Sequence, residues 1–312
     1  MRIITTPEDI RISERTAVAL GNFDGIHIGH RVILEDAVRT ASEKGLASLC
    51  YTFSNHPFNY ILNREPDDPA ALKFICSEEQ KIRMIEDIGF DILVNIPFDD
   101  YTMKMRAMTF IGDVLDKGLN ADTVCVGFNY TFGARAEGRT DMLIREGEAR
   151  GIDVHVHDAV TIEGDIVSST LIRERISKGD MEAVRLYLGR PVVFDGVVEH
   201  GREIGRKISF PTVNLHAPAD RAVPPNGVYF SNIIIDGDKS LHGVTNIGIR
   251  PTVGGDSKTI ETHILGFEGD LYGHRISVSL EHFERPEMKM SGLEELQARI
   301  AEDVAACEKY FY

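Results

Sequence analysis

Between residues 16 and 157 the chain alternates two spacings of apolar positions. Short runs of apolar and β-branched residues at 17–20, 47–53, 91–96, 123–127 and 153–157 read as strands. Between them apolar residues recur three and four apart, as in Val32, Ile33, Ala37 and Val38, and predict helices over 28–44, 78–88, 109–119 and 141–150. Ser77-Glu78-Glu79-Gln80 is a capping box that opens the helix carrying Ile82, Ile85 and Ile88, and Gly89 and Gly151 stop two of the helices. Such alternation predicts a Rossmann-like parallel sheet with helices on its faces, in which a ligand sits beyond the carboxyl ends of the strands.

The pattern changes after Tyr187-Leu188-Gly189-Arg190-Pro191. Period-two segments follow at 192–198, 227–235, 241–247, 259–267 and 275–283, separated by turn residues such as Pro224-Pro225-Asn226-Gly227 and Gly254-Gly255-Asp256. They predict a small antiparallel β-barrel or sandwich. A last helix begins at Ser291, with Glu294 completing a second capping box, and Leu293, Leu296, Ile300 and Val304 give it one apolar face to close the barrel. Two domains are expected, 1–185 and 186–312, with no internal repeat and no low-complexity tract.

Composition narrows the class. At 312 residues the chain can build two cores, and 43% hydrophobic with 27% charged residues is a globular balance. A formal charge of −15 argues against nucleic acid as a partner, but a local nest of donors with Mg²⁺ can still receive a small phosphate ligand. Cys50, Cys76, Cys125 and Cys307 form no C-x-x-C pair and read as buried thiols of a reducing compartment. The opening residues have no apolar signal core and no run approaches the roughly 18 residues of a membrane span, so a cytoplasmic protein without membrane contact is expected. Oligomeric state is not legible.

The candidate chemistry of the first half starts where its first predicted strand ends. Gly21-Asn22-Phe23-Asp24-Gly25-Ile26-His27-Ile28-Gly29-His30 places small residues and two imidazoles at a strand-to-helix turn. Free backbone N–H groups and the positive end of a helix dipole gather there, which suits phosphate. His27 and His30 could be metal ligands, with Asp24 as a third, or nucleophiles or phosphate donors; donors to a phosphoryl transition state fit best, since His-His-Asp alone is a weak metal set. A second group, Ser168-Ser169-Thr170, offers three hydroxyls before a helix that carries Arg173, as helix cap or as phosphate clamp.

GNFDGIHIGH with SSTLIR resembles the HxGH nucleotidyltransferase superfamily. With Thr52-Phe53-Ser54-Asn55-His56-Pro57 and 126–133 (VGFNYTFG), the chain is similar along its whole length to the prokaryotic-type bifunctional riboflavin kinase/FMN adenylyltransferase family, the FAD synthetases. The resemblance implies an α/β nucleotidyltransferase-type first half that transfers AMP from ATP to FMN and releases pyrophosphate. It implies that His27 and His30 stabilise charge at the α-phosphate, that Gly21, Asn22, Phe23, Asp24, Gly25 and Gly29 form the phosphate turn, and that Ser168, Ser169, Thr170 and Arg173 hold the distal phosphates. Phe53, Asn55, His56 and Pro57 would line the flavin side; Gly127, Asn129 and Phe132 would border the nucleotide pocket, with Asn129 standing where the family often has Asp.

In the second half, Gly205-Arg206-Lys207-Ile208-Ser209-Phe210-Pro211-Thr212-Val213-Asn214 places Thr212 and Asn214 on one face of an extended segment, where a hydroxyl and an amide oxygen can coordinate a hard cation. The resemblance implies Mg²⁺ with ATP here, Gly205, Arg206 and Pro211 included, although Ser209 and Val213 replace the glycine and alanine of the similar GFPTAN segment. Glu261 matches the family's catalytic glutamate; a neutral ribityl hydroxyl as acceptor benefits from a base. Arg285, in Arg285-Pro286-Glu287-Met288-Lys289, fits a flavin-contacting segment, and Met290 stands where phenylalanine is usual. Riboflavin, FMN and FAD are thus the implied substrates and products. His155 and His157 share a strand face and could hold a metal, but no carboxylate or cysteine motif completes the set. Two other readings are a cytidylyl- or pantetheine-phosphate adenylyltransferase, which leaves the barrel without a role, and a flavin-binding regulator without turnover.

Overall fold

The computed structural model describes residues 1–199, 210–237, 239–252 and 255–312, with backbone alone at 239, 250–252 and 255–257. Two compact units divide at Ser169/Thr170. In the first unit six strands, β1 (Arg2–Ile4), β2 (Thr16–Leu20), β3 (Ala47–Phe53), β4 (Ile92–Ile96), β5 (Ala121–Gly127) and β6 (Asp153–His157), form one parallel sheet in the order β1-β4-β3-β2-β5-β6. The order reverses at β2: the chain steps outward through β3 to β4, then returns to lay β5 on the other side of β2. That reversal opens a crevice at the carboxyl end of β2, the place where open α/β sheets bind ligands.

Helix α1 (Ile28–Lys44) leaves β2 and packs back on the sheet; α2 (Pro57–Ile61) and α3 (Glu78–Ile88) follow β3. All of β2 is buried, because both faces are covered. Val18, Leu20, Leu49, Tyr51 and Val94 pack with Ile111 and Leu115 on one face, while Ala19, Cys50, Leu93 and Cys125 pack with Ile33, Leu34 and Ile85 on the other. The Ser77 capping box is present, with Gln80 N–H donating to Ser77 Oγ (3.1 Å) and Ser77 N–H to Gln80 Oε1 (3.0 Å), and Gly89 ends α3 at φ 103°. The helix expected over 109–119 is a π-helix over Phe110–Gly118. Its apolar face is as expected, with Phe110, Ile111 and Leu115 buried.

In the second unit β7 (Val192–Val197), β8 (Val213–His216), β9 (Gly227–Ile235), β10 (Lys239–Thr252), β11 (Gly255–Ile264) and β12 (Arg275–Pro286) form an antiparallel sheet in the order β7-β12-β9-β10-β11-β8. A bridge between Glu199 and Asn214 brings its two edges together, giving a nearly closed six-stranded barrel. The C-terminal helix α4 (Leu293–Phe311) sets Val304, Ala306 and Cys307 against Val228, Phe230 and Val244. Its start corrects the expected capping box by one residue. Gly292 is the N-cap, and Glu295, three residues on, accepts from Ser291 N–H (2.7 Å) and Ser291 Oγ–H (2.6 Å). Leu293, assigned to the apolar face, is 56% exposed in that first turn. All four cysteines are buried and none is joined in a disulfide.

Candidate active sites

The decapeptide forms the crevice wall at the end of β2. Thr52 Oγ1, on neighbouring β3, donates to Asn22 O (3.0 Å) and fixes the turn to the sheet. Asp24 is buried, and its Oδ1 accepts from Ile75 N–H (2.9 Å); Ser169 Oγ donates to Asp24 O (3.0 Å). Gly25 has φ +80°, and a Cβ there would lie 2.8 Å from Ile75 Cγ2, so this position needs glycine twice over. Phe23 and Ile26 also take positive φ, 47° and 38°, an unusual backbone for bulky side chains. Such strain persists only where the surroundings impose it, and it clusters at ligand clamps.

His27 is the N-cap of α1: its Nδ1 accepts from His30 N–H (3.2 Å). An accepting Nδ1 puts the ring proton on Nε2 and makes that nitrogen a fixed donor. The His30 ring stacks on it, centroids 3.6 Å apart and planes 19° from parallel, while Phe23 meets His30 edge-on at 5.4 Å. A Cβ at residue 29 would come within 3.2 Å of the His27 ring, so Gly29 makes room for it. Cap, stacking and glycine thus fix two imidazoles at the positive end of a helix dipole. Ser169 and Thr170 stand in the first turn of the helix Ser169–Lys178 rather than ahead of it, and Arg173 lies one turn further on.

Beside the turn, Asn55 pins Phe98 through both backbone groups, its Nδ2 donating to Phe98 O (3.0 Å) and its Oδ1 accepting from Phe98 N–H (2.6 Å). Phe98 meets Phe53 and Tyr60 edge-on, at 5.2 Å and 5.8 Å. His56 caps α2 as His27 caps α1, accepting from Phe58 N–H (3.2 Å), and Pro57 takes the first helical position. Aromatic surface continues outward through Phe58 and Tyr60. Phe98 and Tyr60 escaped the sequence reading because they belong to no motif. Lys81 escaped it too. It is buried, its Nζ donates to Phe53 O (2.6 Å), and burial lowers its pKa despite the opposing pull of nearby acidic groups. Asn129 is exposed at the end of β5; Phe132 is buried against Phe110 at 5.5 Å and Tyr130 at 5.9 Å.

In the barrel, Asn214 on β8 and Asn246 on β10 stand in register with Glu261 on β11, one on each side. Side chains opposite one another on neighbouring strands share a face, so a carboxylate is flanked by two amides. Asn214 is buried and its Nδ2 donates to Thr212 O (3.4 Å). His263 Nδ1 lies 2.9 Å from Pro211 O and its ring meets Phe210 edge-on at 5.2 Å. Beside them opens a cavity of about 360 Å³ lined by Pro211, Thr212, Thr262, Phe267, Asp270 and Tyr272. Gly205, Arg206 and Ser209 lie outside the described residues. Arg285 forms a two-pronged pair with Asp303 on α4, Nε to Oδ1 2.8 Å and a terminal nitrogen to Oδ2 2.6 Å.

Residues 9–171 match the FAD synthetase family and residues 188–311 the riboflavin kinase family. The chain belongs to both, one after the other. Proteins described as bifunctional riboflavin kinase/FMN adenylyltransferase resemble it throughout: that of Escherichia coli K12 is 34% identical over 96% of this chain and 93% of its own, and that of Listeria monocytogenes 32% identical over 99% and 96%. The Bacillus subtilis counterpart is 32% identical over 99% and 97%. The N-terminal unit is therefore an FAD synthetase module and the barrel a riboflavin kinase module. A solved structure titled a macrolide-efflux protein from Streptococcus pneumoniae shares the fold, with a TM-score of 0.89, 27% identity and 98% of each chain covered. In this FAD synthetase and kinase, no described helix is long and apolar enough to cross a membrane.

Proposed function

We propose that the chain makes FAD from riboflavin in two steps, each carried by its own module. In the N-terminal module the FMN phosphate oxygen attacks the α-phosphorus of ATP, and pyrophosphate leaves. The attacking phosphate is already ionised, so no general base is required and catalysis rests on positioning and charge stabilisation. His27 Nε2–H and the His30 ring donate to the α-phosphate oxygens as charge builds there. The backbone of Gly21, Asn22, Phe23, Asp24 and Gly25 cradles the phosphates; Ser168, Ser169, Thr170 and Arg173 hold the distal ones. Phe53, Asn55, His56 and Pro57, with Phe98 added, form the flavin wall. The paired imidazoles at the sheet's switch point carry this reading.

In the barrel module the terminal ribityl hydroxyl of riboflavin attacks the γ-phosphorus of ATP. Glu261 takes the hydroxyl proton and ADP leaves. Thr212, Asn214 and Glu261 bring hydroxyl, amide and carboxylate oxygens to one face, a donor set suited to Mg²⁺. When bound with ATP, the cation would neutralise phosphate charge. Arg285, held by Asp303, serves the flavin side by keeping α4 in place. The chain works as a cytoplasmic enzyme on small molecules. Incubation of the purified chain with riboflavin, ATP and Mg²⁺, followed by flavin chromatography, tests the proposal: FMN and then FAD are expected, and formation of neither overturns it.

A further inference from the structure

His155 and His157 are joined by two groups that sequence spacing could not supply. Asp36, two turns into α1, and Cys125, on β5 directly beside His155 in the parallel register, meet them on one face of the sheet. One oxygen, Asp36 Oδ2, lies 2.7 Å from His155 Nδ1, 3.0 Å from His157 Nε2 and 3.3 Å from Cys125 Sγ. Cys125 Sγ lies 3.9 Å from His155 Nδ1. The other oxygen, Oδ1, faces Arg39 and Thr40. A carboxylate oxygen has about two lone-pair positions, yet three proton-bearing groups converge on Oδ2. All three are also metal-ligand types. Among the described residues, Asp36, Cys125 and His155 are the group whose ligand atoms cluster in this way.

We propose that Asp36, Cys125 and His155 bind one zinc ion, with water in the fourth position and His157 holding the Asp36 carboxylate. A tetrahedral ion with the usual Zn–S, Zn–N and Zn–O bond lengths separates its ligand atoms by about 3.4–3.6 Å. The observed 2.7, 3.3 and 3.9 Å bracket that range, so sub-ångström shifts admit the ion where shared protons now sit. A sulfur, an imidazole nitrogen and a carboxylate oxygen form a borderline donor set, which suits Zn²⁺ and not Mg²⁺. On binding, the Cys125 thiol proton goes to solvent; the His155 imidazole uses a lone pair and the carboxylate its charge. Asp36 and Cys125 are buried, while the His155 and His157 side chains are 31% and 22% exposed on edge strand β6, giving the ion a way in. The ion would fasten α1, the helix that carries His27 and His30 at its start, to β5 and β6.

The test titrates the full-length, metal-stripped chain with Co²⁺, read by absorbance, and then displaces it with Zn²⁺. Expected are a thiolate-to-cobalt charge-transfer band and tetrahedral d–d bands saturating at about one ion per chain, reversed by zinc, with a rise in melting temperature. In Cys125→Ser the charge-transfer band disappears; in His155→Gln affinity falls at least about tenfold. FMN adenylation by the same variants, with Mg²⁺ and ATP, reports that they are folded. Absence of the thiolate band in the unmodified chain overturns the site whether or not the variants fold. Cobalt binding that persists unchanged in folded Cys125→Ser overturns it equally and identifies the cluster as a hydrogen-bond network around Asp36.

Discussion

His27 serves two separable purposes, and replacing it two ways tells them apart. Its Nδ1 caps α1 by accepting from His30 N–H at 3.2 Å, and its Nε2–H is the donor assigned to the α-phosphate. His27→Ala removes both. Loss of a side-chain cap costs about 1 kcal/mol, which in a unit of this size lowers the melting temperature by about 2–4 °C. Loss of one donor to a developing oxyanion costs about 2.7–4 kcal/mol, or about 10²–10³ in rate. His27→Asn restores an oxygen cap but supplies no imidazole. Both variants should therefore lose FMN adenylation by the same two to three orders of magnitude, while only His27→Ala loses melting temperature. Adenylation is measured on supplied FMN by flavin chromatography, melting by calorimetry, and riboflavin kinase activity in the same samples should be unchanged. Adenylation within a few-fold of the native rate in His27→Ala would refute the catalytic assignment. An equal drop in melting temperature in both variants would refute the capping argument.

Three further outcomes follow from the two units. Glu261→Gln should lower FMN formation about 10²–10⁴-fold through loss of the base, yet leave adenylation of supplied FMN intact; joint loss of both activities in a folded variant contradicts the division of labour. Gly25→Ala, at φ +80° and against Ile75, should cost about 1–3 kcal/mol and depress adenylation, read by denaturant unfolding and steady-state rates; a neutral substitution would show that the turn is not held in this backbone. Asp303→Ala strands Arg285, whose side chain is only 11% exposed, and should destabilise the barrel by about 3–5 kcal/mol; a change under about 1 kcal/mol in chemical denaturation would mean that the pair does not anchor α4.

Local signals carried the architecture far. The helix over 28–44, the strands over 47–53 and 153–157, and the Ser77 capping box stand where apolar spacing and capping chemistry put them. So does the decapeptide, because a strand end, glycines and a helix start are all encoded within ten residues. What escaped had no local signal. β1 is three residues long and exists by pairing with β4, far along the chain. The π-helix at Phe110–Gly118 keeps a helical apolar face, so periodicity cannot tell it from an α-helix. The start of α4 slipped by one residue because Ser291 and Glu295 satisfy each other across Gly292. Asp36 and Cys125 join His155 and His157 only through the packing of α1 on β5 and β6, a meeting that spacing along the chain cannot reveal. Phe98 likewise joins Phe53 through Asn55, 43 residues before it.

The central claim, one phosphoryl and one adenylyl transfer by two modules on one flavin, is tested most directly by the fate of ATP's phosphorus atoms. The purified chain would be given riboflavin, Mg²⁺ and ATP labelled at either the α- or the γ-phosphate, and the flavins separated. The account predicts γ-label in FMN and in the flavin-side phosphate of FAD, and α-label in FAD alone, with unlabelled β-phosphorus leaving as ADP or pyrophosphate. Label in neither flavin, or α-label in FMN, would contradict it.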